Sequence, residues 1–427
     1  MTDAAHTSSP VSGPNSGPEP GLAPADARNA AREVRKRKLR SFFFVTPLLA
    51  FIIFAFVAPI TTMLYRSIHN PTVAELVPDT LAALVTWPGD SMPDDAVLTQ
   101  FAADMKRMAN DRTSGKLADE INRSLPGMSS VVKSTARKLR RVEDAEIAAQ
   151  GSALLLKANA RWGEVATWRA LQTAGQVYTA NYYLTSLDLE RTPDGGITGR
   201  DTQIYVKLYT KTLFMALIIT VLTVLLGYPL AFFMAHASSG VANILMVFVL
   251  LPFWTSLLVR TTAWIALLQT NGVVNSTLIA LGITNAPLEM LYTQFSTIIA
   301  MTHILLPFMV LPLYSVMRGI DQSYMRAAMS MGSLPLAAWY RIYLPMSLPG
   351  LSAGALLVFI ISVGYYITPA LVGGTDGQMI SNIIAFHMQQ SNNWELAAAL
   401  GSLLLVLILA LYWLFDRFVG AGNIKLG

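Results

Sequence analysis

Residues 326–345 read RAAMSMGSLPLAAWYRIYLP and form a moderately polar stretch between long apolar segments. Ala327 and Ala328 are followed by Gly332, and a Leu-Pro pair closes the stretch at Pro345. This order predicts a short helix, a bend at the glycine and a second short helix that ends at the proline, because Gly favours turns and Pro interrupts helices. So much internal order is typical of a docking surface. The alternative is an ordinary Ala-rich helix-turn-helix in which Pro345 simply starts the next membrane helix.

The composition is that of a membrane protein, since 53% of the residues are hydrophobic and 13% are charged, and the mean hydropathy is +0.46. The net charge of +5 comes mainly from one basic cluster near the N-terminus, so it does not indicate a nucleic-acid partner. The chain has no cysteine, which excludes disulfides, thiolate metal sites and cysteine nucleophiles.

Residues 1–40 combine a Ser-, Pro- and Gly-rich start with a basic run, and we expect a disordered basic cytoplasmic tail. Residues 41–65 are apolar and are predicted to be the first transmembrane helix, with its N-terminus inside because Lys and Arg beside a span stay in the cytoplasm. A signal peptide is the rival interpretation. Its apolar region would span only about 7–15 residues and be followed by an Ala-x-Ala site, and no such site follows this apolar run.

Five further apolar segments have the length of about 20 residues that a membrane helix needs. They are residues 208–235, 243–268, 295–317, 348–369 and 396–416. The sequence therefore predicts an all-α polytopic membrane protein with six transmembrane helices. Counting from a cytoplasmic N-terminus places the loop 318–347 and the tail 419–427 in the cytoplasm, and the arginines of the loop agree with this.

Residues 66–206 form a polar insert between the first span and the five-helix core of residues 207–418. Apolar residues recur at helical spacing in Val97–Met108 and Ala145–Leu171, and Pro-Gly pairs separate such segments. We expect a small, mostly helical extracytoplasmic domain. Its acidic and basic residues are nearly balanced, so it offers no obvious patch for nucleic acid or for a membrane surface.

The spacing of the 326–345 stretch resembles the cytoplasmic coupling loop of ABC-importer permeases, which reads Glu-Ala-Ala, three residues, Gly, nine residues and Ile-x-Leu-Pro. The residues that fall on this pattern are Ala327, Ala328, Gly332, Ile342, Leu344 and Pro345. Arg326 stands where the family usually has Glu. This departure leaves the small-residue face and the bend intact but affects any ion pair that the acidic residue would make.

Further segments resemble the spermidine/putrescine-type branch of these permeases. They are LPFWTSLLVRTTAW at residues 251–264, NGVVNS at 271–276, YYITPALVGG at 365–374 and the pair Asn393-Trp394. The resemblance covers most of residues 207–418, whereas the insert is much longer than this branch usually carries. It implies a permease subunit of the bacterial inner membrane that transports a polyamine or a related small organic cation.

The resemblance also implies partners. A dimeric cytoplasmic ABC ATPase would bind the coupling loop, a second similar permease would complete the pathway, and an extracytoplasmic solute-binding protein would deliver the cargo. ATP hydrolysis would then belong to the partner, so this chain is expected to be no enzyme and to hold no cofactor. In the loop, the two alanines would leave room for the partner, and Pro345 would set the angle into the next span. The implied coupling residues are Arg326, Ala327, Ala328, Gly332, Ile342, Leu344 and Pro345.

Polar residues inside the apolar spans are candidates for the translocation pathway. Arg260 lies in the third predicted span, where a charge costs about 2.5–3.5 kcal/mol and usually faces the bundle interior or an aqueous cavity. The alternative is that Arg260 snorkels to the outer interface. Irregular backbone at membrane depth occurs only where it lines a cavity or is buried in protein. The helix-breaking end of the fifth span is therefore a candidate part of the translocation pathway. The candidates are Trp254, Arg260, Tyr365, Tyr366, Thr368 and Pro369. Packing is the more common role for a residue such as Trp254.

Other functions lack their characteristic residues. The Gly-rich segment 373–377 has no Lys for a phosphate, and GxxxxGK[ST] does not occur, so we expect an outer turn with a solvated Asp376. The histidines are widely separated, without metal-ligand spacing. An ion-coupled secondary transporter is the alternative function, yet the later spans lack the intramembrane carboxylates that it should show. For residues 66–206 alone, the role of an assembly factor stays open.

Overall fold

The computed structural model describes residues 42–192 and 196–419. The predicted tail 1–40 lies outside the described residues, as does the predicted tail 419–427 beyond Val419. The chain divides into two compact units, Met1–Thr62 and Met63–Gly427. The described residues are mainly helical, with one short antiparallel pair of strands.

The first apolar helix, α1, spans Phe42–Arg66 and contains a π-helical turn at Ile53–Val57. The elements that follow are α2 (Thr72–Leu76), α3 (Pro78–Leu84), α4 (Asp95–Asn110), α5 (Ser114–Ser124), α6 (Met128–Leu139), α7 (Asp144–Ala158), α8 (Val165–Ala174), α9 (Asn181–Ser186), β1 (Leu189–Arg191) and β2 (Ile197–Gly199). The helical periodicity of Ala145–Leu171 is divided between α7 and α8. Asn159 interrupts it, because its backbone is extended and its side chain accepts a hydrogen bond from the Arg161 amide at 3.0 Å.

The helices of the insert pack around an aromatic core. Phe101 lies with its ring centroid 5.0 Å from that of Trp162 and 5.3 Å from that of Trp168, and all three side chains are buried. Trp162 Nε1 donates to Thr135 Oγ1 at 2.9 Å, and Trp168 Nε1 donates to the Trp162 carbonyl at 2.9 Å. Both buried indole donors are thus satisfied, which avoids the cost of an unmade hydrogen bond. The insert is therefore a packed helical body.

The core helices are α10 (Tyr205–His236), α11 (Ser239–Trp254), α12 (Leu257–Leu268), α13 (Val273–Ala280), α14 (Gln294–Arg318), α15 (Ser323–Ser330), α16 (Pro335–Gly364), α17 (Ile367–Val372), α18 (Ile380–Gln389) and α19 (Trp394–Val419). Among the described residues, five helices are long and apolar enough to cross a membrane, namely α1, α10, α14, α16 and α19. The pair formed by α11 and the stretch Leu257–Ala280, bent by 98°, is apolar and long enough to count as a sixth span if it crosses as one. The predicted all-α polytopic fold is confirmed.

The predicted third span, 243–268, is wrong as a single straight helix. The chain bends by 98° between Trp254 and Leu257. Pro252 lies in the last turn of α11, where its missing amide weakens the helix, and the Thr255 hydroxyl donates to its carbonyl at 3.0 Å. Ser256, with φ −60° and ψ 143°, is the last residue before α12. The third span is therefore two helices joined by a Thr-Ser pair.

Helix α14 lies at the centre of the membrane core, between α10 and α16. A Cβ added at Gly350 of α16 would lie 2.9 Å from the Pro312 carbonyl oxygen and 2.9 Å from Val316 Cβ. Only Gly permits this approach, as is common where membrane helices cross. The close crossing fixes α16 on α14.

Candidate functional site in the loop and the membrane core

The loop between α14 and α16 contains helix α15, and a carboxylate of the same loop accepts a hydrogen bond at the start of this helix. Asp321 Oδ1 accepts a hydrogen bond from the Ser323 amide at 2.8 Å, at the first turn of α15. Hydrogen bonding by Ser323, helped by the nearby charge of Arg326, holds the pKa of Asp321 below its usual value. Arg326 therefore has an acidic neighbour within its own loop.

Helix α15 ends in a turn that requires glycine. Gly332 has a φ of +89°, a left-handed conformation that Gly adopts without steric cost. Its amide donates to the Met329 carbonyl at 3.0 Å, and the Ser333 amide donates to the Ala328 carbonyl at 3.0 Å. These two bonds are those of a Schellman motif, which closes a helix with a glycine. The structure thus contains the predicted short helix and the bend at Gly332.

The two alanines of α15 have different surroundings. Ala328 is 3% exposed, whereas Ala327 and Arg326 are exposed. Successive residues of a helix point in different directions, so α15 turns Ala328 towards the body of the protein. Ala328 thus packs within this chain, while the prediction that the alanines leave room for a partner stays a prediction.

The second helix of the loop does not end at Pro345, because α16 continues from Pro335 to Gly364. Trp339–Tyr343 form a π-helical turn, in which the Leu344 amide donates to the Trp339 carbonyl five residues earlier. A widened turn directly before the proline accommodates its ring and its missing amide. The predicted angle at Pro345 is thus replaced by a local widening inside one helix. Ile342 and Leu344 are half-buried at this turn.

Large apolar side chains stand exposed around the bend. We name this surface the loop patch, and its members are Met331, Leu334, Leu336 and Tyr340. Met331 is 82% exposed and Leu336 is 76% exposed, on either side of the turn that Gly332 closes. A group of exposed apolar side chains is characteristic of an interaction site.

Within the membrane core, three of the six pathway candidates come together. Arg260 of α12 lies close enough to Tyr365 and to His303 of α14 for its charge to act on both. Thr261 Oγ1 lies 3.4 Å from Thr368 Oγ1 of α17, and both hydroxyls are buried. We name these five residues the membrane cluster. It lies where the bent span, the central helix and the end of the fifth span meet.

The remaining pathway candidates differ in their exposure. Trp254 precedes the 98° bend and is 74% exposed. Tyr366 is also exposed, whereas Pro369 is buried in α17. Their part in the pathway stays a prediction.

The break between α16 and α17 is held by two side chains that the sequence analysis did not identify. Ser381 Oγ donates to the Tyr365 carbonyl at 2.6 Å, and Asn382 Nδ2 donates to the Tyr366 carbonyl at 2.7 Å. Asn382 Oδ1 also accepts from the Met379 amide at 3.0 Å. Carbonyls at a helix end lack internal partners, so these contacts make the break possible inside a packed core. A Ser-Asn pair in an otherwise apolar segment was the available signal.

The Gly-rich turn after α17 is a structural contact with the start of α14. Gln294 Nε2 donates to Asp376 Oδ1 at 3.1 Å, and Lys211 Nζ lies 3.9 Å from the same oxygen. The hydrogen bonds from Gln294 hold the pKa of Asp376 below its usual value, with a smaller contribution from Lys211. Asp376 is exposed, as the prediction of a solvated turn has it, and its carboxylate also joins three segments of the core.

One of the contacts between the insert and the core is made by the guanidinium of Arg123, beside others such as the hydrogen bond from Ser402 Oγ to Tyr183 Oη at 3.0 Å. Arg123 Nη1 lies 2.6 Å from Glu120 Oε1 and 3.2 Å from Glu395 Oε2, while Nη2 donates to the Asn392 carbonyl at 3.0 Å. Asn70 Nδ2 donates to Glu120 Oε2 at 3.0 Å. Glu395 lies in the first turn of α19, not in a loop before it. This arrangement attaches the insert to the last membrane helix.

Among the residues that the structure describes, no group of three or more His, Asp or Glu side chains is placed to hold a metal ion. The described features are thus a membrane bundle with broken helices, a cluster around one buried cation and an apolar patch on a loop. Together they define the class as a polytopic membrane protein with a candidate pathway and a candidate docking site.

Comparison with known proteins identifies the family. Residues 227–420 match the family described as "Binding-protein-dependent transport system inner membrane component". The chain is 32% identical over 238 residues to a spermidine/putrescine transport system permease protein, PotB, of Haemophilus influenzae, covering 56% of this chain and 82% of that protein. This chain therefore belongs to the binding-protein-dependent transport system inner membrane component family.

Two further relatives show the range of this similarity. PotB of Escherichia coli is 34% identical over 219 residues, which cover 51% of this chain and 80% of that protein. The molybdenum transport system permease protein ModB of Mycobacterium bovis is 31% identical over 193 residues, which cover 45% of this chain and 71% of that protein. These relatives are transport components rather than enzymes, and with the apolar helices they support a multi-pass protein of the inner membrane.

Proposed function

We propose that this chain is the permease subunit of an ATP-driven ABC importer that carries a polyamine, such as spermidine or putrescine, across the bacterial inner membrane. Family membership supports the permease role, and the two PotB relatives support the cargo. Catalysis of ATP hydrolysis would lie in a partner chain. The alternative, an ion-coupled secondary transporter, has little support because the family depends on a binding protein.

The observation that carries this proposal is the loop patch. Met331, Leu334, Leu336 and Tyr340 are apolar, exposed and held by a glycine-closed turn, as expected of a surface that a partner covers. A cytoplasmic ATPase dimer is the partner that fits, with Arg326 and Ala327 on the exposed side of α15. Coupling would pass from the patch into α16, which is continuous with the loop.

The proposed orientation follows from the same assignment. If the loop patch faces the cytoplasm, six spans place the N-terminus and the C-terminus on that side as well. The insert of residues 66–206 then lies outside, beside the surface where a solute-binding protein would deliver the cargo. A second, similar permease would complete the pathway next to the membrane cluster.

A substitution at Gly332 tests the docking role. Gly332→Val places a branched side chain at a φ of +89°, which strains the turn and should displace the loop patch. The matched control is Gly282→Val, because Gly282 also has a positive φ, +68°, and a Cβ at either position meets no atom within 4 Å. We expect the Gly332 variant to lose co-purification with the ATPase while the control keeps it. Equal retention by both variants would contradict the docking assignment.

The cargo is tested by uptake into cells or vesicles that contain the chain and its partners. ATP-dependent uptake of labelled spermidine, inhibited by unlabelled putrescine, is the expected result. Uptake that follows an ion gradient without ATP would support the secondary transporter instead. Inhibition by molybdate but not by polyamines would overturn the cargo assignment and leave the permease role intact.

A further inference from the structure

Arg260 carries a charge that the described residues leave without a counter-ion. Its Nε is buried and has no hydrogen-bond partner among these residues. Among the described residues, no Asp or Glu oxygen lies within 4.0 Å of the Arg260 guanidinium, the distance that defines an ion pair. A charge in an apolar span that serves only packing would be selected against, since its insertion is costly. The position therefore suggests a use for the charge itself.

The groups around Arg260 are neutral. Trp264 Nε1 donates to His303 Nδ1 at 3.3 Å, so that nitrogen carries no proton and the imidazole is uncharged. Thr261 and Thr368 contribute hydroxyls. The acidic residues of the described core lie elsewhere, at Glu289, Asp321, Asp376, Glu395 and Asp416. The field of Arg260 is therefore not cancelled by its own surroundings.

Arg260 also lies close to two interruptions of the membrane helices. It lies just after the 98° bend and next to Thr261, whose hydroxyl is 3.4 Å from that of Thr368 in α17, beyond the break that follows α16. Broken membrane helices commonly surround a transport site, because irregular backbone needs a cavity or protein partners. Arg260 thus stands at a junction that has to move if the core opens.

We propose that Arg260 is an electrostatic barrier that stops small inorganic cations from leaking through the closed pathway. This inference rests on the proposed function, because a route wide enough for a polyamine would also admit potassium ions. In the closed state the cluster is partly buried, and a charge in a poorly solvated site repels other cations strongly. When the core opens and water enters, the same charge is screened, so a cationic cargo passes. Fixed positive groups exclude cations from other membrane pores in this way.

Two substitutions at one position separate charge from shape. Arg260→Gln removes the charge and keeps a polar side chain, whereas Arg260→Lys keeps the charge and loses the planar guanidinium. Arg318→Gln is the matched control, since it removes an exposed charge at the far end of α14. Each variant of the full chain is expressed with its partners, and membrane vesicles loaded with potassium chloride are prepared without ATP. Potassium and chloride efflux are recorded separately.

We expect Arg260→Gln to raise potassium efflux by about tenfold, the lower end of the effect of a local field on ion concentration, with little change in chloride efflux. Arg260→Lys and Arg318→Gln should leak no more than the wild type. Unchanged potassium efflux in Arg260→Gln would overturn the proposal. Equal leakage from the Lys and Gln variants would also overturn it, because the side chain would then be a steric plug.

Polyamine uptake by the same vesicles with ATP is measured as a separate readout. Wild-type vesicles that take up no polyamine would refute the cargo assignment, whereas the efflux comparison still reports on Arg260. If Arg260→Gln stops uptake but leaves potassium efflux unchanged, Arg260 is needed for transport itself and the barrier is refuted. Retained uptake together with increased leakage is the result that supports the barrier.

Discussion

Arg123 Nη1 lies 3.2 Å from Glu395 Oε2, and this contact joins residues that are far apart in sequence, one in the insert and one in the last membrane helix. Glu120 shares the same guanidinium at 2.6 Å. Two carboxylates therefore depend on one cation in a largely buried place. The insert and helix α19 are expected to move together as long as Arg123 stays between them.

Removing Arg123 should weaken the attachment of the insert to the core, which also includes the Tyr183–Ser402 hydrogen bond. Arg123→Met leaves two partly buried carboxylates side by side, and we expect a loss of about 1–3 kcal/mol, less than for a fully buried pair because the side chains keep some exposure. Limited proteolysis of the insert in the full chain measures this. Lys133→Met is the control, since its pair with Asp119 is exposed and 3.6 Å long. Equal protease resistance in both variants would show that Arg123 does not contribute to the attachment.

The attachment should also depend on pH. Burial is the main cause that raises the pKa of Glu120 above its ordinary 4.5, with Arg123 opposing it. A raised pKa means that Glu120 binds its proton more tightly in the attached state than in the detached state. This contribution to the stability of the attachment is fully present below the ordinary pKa of Glu120 and is lost as the pH rises through its raised pKa. Protease resistance of the wild type should fall across this window.

Glu120→Gln removes this titration and is expected to flatten the pH dependence. His387 lies near Arg123, and burial lowers its pKa, so its titration works in the opposite direction. The difference between wild type and Glu120→Gln therefore isolates the carboxyl. An unchanged slope in the variant would mean that Glu120 does not control the attachment. Burial also raises the pKa of Tyr182 to about 12, so this neighbour stays a neutral hydroxyl throughout.

Asn382 should be essential for the break after α16. Asn382→Leu leaves the Tyr366 carbonyl and the Met379 amide without their partner, and an unsatisfied buried group costs about 1–3 kcal/mol. We expect a lower melting temperature and reduced uptake. Gln389→Leu on the same helix is exposed and should change little. A similar melting temperature for the two variants would rule out the supporting role of Asn382.

The two alanines of α15 should respond in opposite ways to enlargement. Ala328→Leu overpacks a buried position and should destabilise the protein by about 1–3 kcal/mol. Ala327→Leu lies on the exposed side and should leave stability unchanged while it weakens association with the ATPase. Thermal unfolding and co-purification measure the two effects. Normal association of Ala327→Leu would exclude that side of α15 from the proposed docking surface.

The sequence predicts the bundle well because long apolar segments in a membrane have few alternatives to a helix. It does not predict where those helices break. Ser256 precedes a second helix after the bend, and Ser381 and Asn382 cap carbonyls about sixteen residues earlier in the chain, so their effect depends on tertiary contacts. The arrangement around Arg260 cannot be predicted from the sequence for the same reason. His303 reaches the cluster only because α14 packs against α12.

The widened turn at Trp339–Tyr343 has a mechanical consequence. It lets one helix of 30 residues run from Pro335 to Gly364 across a proline that would otherwise divide it. At 1.5 Å per residue this helix is about 45 Å long, and it carries Leu336 and Tyr340 near one end and the Tyr365–Tyr366 break at the other. Because the helix is continuous, a small tilt of the end that carries Leu336 and Tyr340 is expected to move the end at the Tyr365–Tyr366 break as well.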